Sequence, residues 1–197
     1  MMITMRPAPG EVLHFSEDPG IQVFRPHVSA SAGPLEALVW AVDAERAPDY
    51  WFPRQCPRAM VWLRPSSSRA DRQRLIGDGG GHRVHAIEYG WLSRLLEARL
   101  YAYRLPAAPF RPFGPDRHAL VAREPVEPLG PPLEVGNLLA LHREAGIQLR
   151  LYDNLWPFWD AAVGSSLGHS AIRMRNARPR PGPTHRAGPP HAPTRIG

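Results

Sequence analysis

Apolar positions come in short runs cut by proline and glycine, and their spacing separates strands from helices. In Val12-Leu13-His14-Phe15-Ser16 a period of two puts Leu13 and Phe15 on one face, and Val12, His14 and Ser16 on the other. Further strands are predicted over 38–42, 59–63, 83–87, 100–105, 118–122 and 147–151, each bounded by turn residues. Leu92, Leu95 and Leu96 at i, i+3 and i+4 predict a helix over 89–98. Leu138, Leu139 and Leu141 predict another over 135–145, stopped by Gly146. A third over 155–163 carries Pro157 in its first turn, where proline is tolerated. Residues 44–50 leave room for a turn or two of helix before Pro53, and the polar stretch 66–81 reads as a surface loop ending in Gly77-Asp78-Gly79-Gly80-Gly81.

Short strands interleaved with short helices and proline-rich connections point to a compact α+β fold with a mainly antiparallel sheet. A chain of 197 residues, 43% of them hydrophobic, supports one core, so residues 11–177 are expected to form a single domain. From Arg178 on, six prolines and three glycines without hydrophobic periodicity mark residues 178–197 as a disordered tail.

Charge changes this picture little. The net charge is +6, but four arginines and no acid lie in the tail, leaving +2 on the rest. Nucleic acid is therefore not an expected partner of the domain, only a weak one of the tail. All 24 basic residues are arginine, which excludes a Schiff-base lysine and a phosphate-loop lysine. A single cysteine, Cys56, excludes an intrachain disulfide and a cysteine-rich zinc cluster and fits the cytoplasm. No run of apolar residues is long enough to span a membrane.

Three strings carry candidate chemistry. Leu13 to Pro19 presents His14 and Ser16 as a hydrogen-bonding pair at a strand end. Tyr50-Trp51-Phe52-Pro53-Arg54-Gln55-Cys56-Pro57-Arg58 mixes aromatics, arginines and a thiol; at least one of the aromatics is expected at a surface, where a ring stacks on a base or sugar. Arg54 and Arg58 would activate Cys56 with His14 as base, against the usual inert buried cysteine. Ile172-Arg173-Met174-Arg175-Asn176 alternates like an edge strand whose basic face, Arg173 and Arg175, suits a phosphate. His82, His85 and Glu88 do not converge as a metal site on a strand, so no metal is expected, and Glu88 remains a candidate catalytic carboxylate.

Together the three strings resemble an uncharacterised family of small bacterial cytosolic proteins with no assigned activity. A remoter resemblance is to ADP-ribosyltransferase-like proteins. It rests on His14-Phe15-Ser16, on Leu38-Val39-Trp40-Ala41-Val42-Asp43 followed by residues 47–52, and on the paired strands 100–105 and 118–122. This resemblance implies an ADP-ribosyltransferase-like fold and NAD or a related nucleotide as ligand. His14 would hold the ribose with Ser16 nearby, and Tyr50 or Trp51 would stack on the nicotinamide. The family's carboxylate belongs where this chain has Arg117-His118-Ala119, so binding is implied more firmly than transfer of ADP-ribose to a protein acceptor. Glu88 or Glu124 would replace it only if the fold brought one to the cleft. The rival expectation is a non-catalytic protein-interaction module.

Overall fold

The computed structural model describes residues 6–28, 36–114 and 119–182. Among these, an α+β arrangement of three small sheets and four short helices is built. The first sheet has the order β1-β6-β9, from β1 (Glu11–Ser16), β6 (Tyr101–Pro106) and β9 (Leu133–Glu134). The second runs β2-β3-β8-β7, from β2 (His27–Val28), β3 (Ala37–Ala41), β7 (Arg111–Phe113) and β8 (Ala119–Ala122). The third runs β10-β5-β4-β11, from β4 (Arg58–Trp62), β5 (Arg83–Glu88), β10 (Ile147–Tyr152) and β11 (Gly168–Ile172). All pairings are antiparallel except that of β5 with β10. Backbone hydrogen bonds between Leu13 and Val42, 2.8 Å each way, join the first sheet to the end of β3.

The expected period of two holds in β1. Val12 packs with Phe24, Tyr103 and Leu105 on one face; Leu13 packs with Val42 and Ala47 on the other, where Phe15 reaches the core of Trp51, Phe52, Ile87 and Leu138. A third core, around Val61, Val84 and Phe158, lies between the β4/β5 sheet and helix α4 (Trp156–Val163).

Several elements depart from expectation. Stretch 66–81 is not all loop: helix α1 (Arg69–Asp71) continues as a π-helical turn, Arg72–Ile76, because Leu75 and Ile76 reach the core and Ser68 caps the start by accepting from the Asp71 amide. Gly81 packs so closely on the Gly146 carbonyl, with φ +77°, that no side chain fits there, so the glycine run closes a loop. Helix α2 (Leu92–Glu97) is preceded by a 3₁₀ turn, Tyr89–Trp91. Helix α3 (Leu138–Glu144) starts late, since the Asn137 side chain caps it at the Ala140 amide. Residues 44–50 yield only the 3₁₀ turn Ala47–Tyr50. Strands β6 and β8, expected as a pair, lie in different sheets. The basic strand expected over 172–176 stops at Ile172: Arg173 takes a left-handed conformation, φ 58°, and Met174–Asn176 is a 3₁₀ turn.

Ordered contacts run past the expected boundary at residue 177. The Trp156 indole donates to the Arg178 carbonyl, and Arg180 lies over the Trp156 ring and pairs with Asp160. The rest of the expected tail, from residue 183, lies outside the described residues, as do Arg117 and His118 and the loop 29–35. Among the described residues no helix is long and apolar enough to cross a membrane.

Candidate functional site

The three strings meet in space. After β1, the Ser16 hydroxyl accepts from the Asp18 amide and turns the chain; Tyr103 donates to the Asp18 carbonyl at 2.7 Å and accepts from the Ile21 amide at 3.0 Å, pinning the turn. The Glu17 carboxylate accepts from the Arg54 amide at 2.9 Å, tying the first string to the second. The Asn176 side-chain amide donates to the Gln55 carbonyl at 2.7 Å, tying the second to the third. Arg54, Arg173 and Arg175 thereby fall into one neighbourhood. Partial burial and then the charges of Arg175 and Arg54 pull the Arg173 guanidinium below its ordinary pKa. Three like charges are thus gathered on tied loops, one of them on a left-handed residue.

His14 is half-buried, its ring 4.6 Å from Phe24, and it feels the charge of Arg54. Its Nδ1 is 2.7 Å from the Trp40 carbonyl oxygen, which only accepts, so Nδ1 carries the proton and Nε2 the lone pair. Burial, against the pull of that hydrogen bond, and then the Arg54 and His27 charges lower its pKa to about 4. At neutral pH His14 is an uncharged hydrogen-bond acceptor.

The remaining expected residues do not join it. Tyr50 packs with Leu13 and Phe15 on the opposite face of β1, under the Arg58 guanidinium at 5.5 Å, so His14 and Tyr50 do not share one pocket. Trp51 is buried, 7% exposed, with its ring edge-on to His142, and is unavailable for stacking. Ser16 is buried and occupied by its own turn. Of the aromatic run, in which at least one ring was expected at a surface, Trp51 and Phe52 turn inward and Tyr50 is half-buried. Glu88 is 4% exposed, and its oxygens accept from the amides of Leu155 at 3.2 Å and Arg178 at 3.1 Å. That carboxylate holds the amide of Leu155, just before α4, and the amide of Arg178, just after residue 177, in place of facing a cleft. Cys56 is buried, bonded to the Pro57 carbonyl, and raised by burial to about 12, which removes it as a nucleophile.

Two grooves open on the described surface. One of about 410 Å³ adjoins the junction through Glu17, Pro53 and Gln55 and extends to Trp91 and Arg94; the other, about 590 Å³, lies between Gly79–Gly81 and α3. Neither is lined by His14 or Tyr50. Among the described residues no cluster of three or more His, Cys, Asp or Glu is arranged to hold a metal.

Sequence reasoning missed a buried chain of Asp49, His85 and His142, with His85 and His142 3.0 Å apart. Nothing in the sequence flagged it, because its members are drawn from the 3₁₀ turn, β5 and α3.

Residues 13–177, which contain all three strings, match the Family of unknown function (DUF6886). No curated protein matches the chain. No solved structure matches it.

Proposed function

The chain belongs to this family of unknown function, and from that premise and the loop junction we propose that it binds NAD or a related nucleotide bearing a diphosphate. The observation that carries this reading is the gathering of Arg54, Arg173 and Arg175 on loops tied to one another, with a neutral His14 that feels the Arg54 charge. Guanidinium forks bind the diphosphate, for which their planar donors are suited. The His14 Nε2 lone pair accepts from a ribose hydroxyl, the role an ADP-ribosyltransferase-like site would give it. Binding is not accompanied by transfer: cleaving the nicotinamide bond builds positive charge that a carboxylate must face, and Glu88 is spent on backbone amides. The test is calorimetric titration with NAD and with ADP-ribose, alongside a long incubation assayed for free nicotinamide. Heat of binding without nicotinamide release supports the reading, and no heat with either nucleotide refutes it.

A second reading, a non-catalytic interaction module, is favoured by one observation. Tyr89 and Leu96, 60% and 54% exposed, stand out on the segment that leads into and forms α2. Replacing both with Ser and measuring nucleotide binding separates the readings, since only a partner surface depends on them.

A further inference from the structure

Three contacts run in line through the buried chain. The Leu138 carbonyl oxygen is 2.7 Å from His142 Nδ1, His142 Nε2 is 3.0 Å from His85 Nδ1, and His85 Nε2 is 3.4 Å from Asp49 Oδ1. Both ends of this line only accept: one is a carbonyl, the other a carboxylate. Three hydrogen bonds would need three ring protons, and two neutral imidazoles carry two. The carbonyl fixes the first proton on His142 Nδ1, so His142 Nε2 accepts from His85 Nδ1, and His85 Nε2 is left with a lone pair facing Asp49. The geometry agrees. The first two contacts have hydrogen-bond lengths, the third is longer, and His85 Nε2 is buried without a hydrogen-bond partner.

We infer that Asp49, His85 and His142 form a single proton-binding site, one proton short in this structure, which on acidification takes up that proton between His85 Nε2 and Asp49 and closes the contact into a hydrogen bond. The groups facing it set the range. Arg83 on β5 lies 3.1 Å from Asp49 Oδ1, Arg46 lies 3.9 Å from Oδ2, and Arg58 on β4 donates to the Asp49 carbonyl at 2.7 Å. The rings of Trp51 and Phe52 cover the histidines. Burial is the largest influence on His85 and lowers its pKa, Asp49 opposes it, and Arg83 and Arg58 add to the lowering, so uptake falls below the ordinary histidine range. Because Asp49 belongs to the same turn as Tyr50, closure draws that turn toward β5. The device does not depend on what the loop junction binds.

The full chain, labelled with ¹⁵N-histidine, is titrated from pH 8 downward while long-range proton–nitrogen spectra report each ring nitrogen. At pH 8 both rings are expected as the Nδ1–H tautomer. On acidification His85 Nε2 moves from the unprotonated to the protonated range, and His142 responds at the same midpoint while keeping its tautomer. Separate midpoints, a His85 Nε2 already protonated at pH 8, or no change in either ring before unfolding would each overturn the inference. In Asp49→Asn the side-chain amide supplies the missing proton to Nε2, so the uptake step should vanish. A His85 that titrates in that variant as in the parent would overturn it equally.

Discussion

Asn176 donates its side-chain amide to the carbonyl of Gln55, 121 residues earlier in the chain, at 2.7 Å. That bond, with the Glu17 to Arg54 bond at 2.9 Å, makes one surface of three loops that would otherwise carry their arginines separately. Asn176→Ala should cost about 1 kcal/mol of stability, the usual net worth of one such bond, and should weaken nucleotide binding by more than its small loss of stability accounts for. Chemical denaturation and calorimetric titration of the same variant check both.

Arg173 separates stability from function. Its left-handed backbone, φ 58°, strains a residue with a Cβ, and glycine adopts it freely, relieving on the order of 1 kcal/mol. Arg173→Gly should therefore relieve that strain, offsetting the contacts the side chain gives up, while removing one of the three side chains proposed to hold the diphosphate. A variant that melts higher and binds nucleotide as tightly as the parent would remove Arg173 from the site.

Acid should unfold this protein through histidines that the fold holds neutral. The folded pKa of His14 is about 4, below its ordinary 6.5, so the native state holds the ring neutral and binds fewer protons than the unfolded chain. Its contribution, on the order of 3 kcal/mol, is complete above pH 6.5 and is lost as pH falls toward 4. His142, lowered to about 3 by burial and then by His85, works in the same direction. Melting curves between pH 8 and 4 should fall steadily, and His14→Gln should flatten the part of the fall that His14 causes.

Gly168 faces the Trp62 indole with no room for a Cβ, and that indole lies under the Arg46 guanidinium at 4.1 Å. Gly168→Ala must displace the ring or the strand, at a cost of roughly 1–3 kcal/mol. Equilibrium unfolding gives this value directly, and a neutral result would mean that the indole moves freely.

The expected α+β class and most strands were legible, because alternation such as that of β1 reports burial directly. The three strings were also legible as candidates, since each combined charge or ring chemistry with turn residues. Their meeting was not, because it is made by the backbone amide of Arg54 and the side chain of Asn176, and such bonds leave no pattern along a chain. Glu88 shows the opposite limit: its residue type and strand-end position fit a catalytic acid, yet its neighbours are amides from Leu155 and Arg178. The strand expected through Arg173 failed because alternation of charge and methyl-bearing residues also fits a 3₁₀ turn entered through one left-handed residue. Glu88→Gln should accordingly lower stability, by weakening the acceptor that holds the Leu155 and Arg178 amides, and leave nucleotide affinity in place.

The most direct test of the account is the thermal shift given by millimolar ADP-ribose in the parent and in Arg54→Ala. The substitution keeps the backbone amide that bonds Glu17 and removes only the exposed guanidinium. A ligand at a hundredfold excess over its Kd stabilises the native state by about 2.7 kcal/mol, so the parent should melt at a clearly higher temperature with ADP-ribose present, while Arg54→Ala melts as before and loses most of the shift. No shift in the parent, or an equal shift in both proteins, would contradict a nucleotide site at the loop junction.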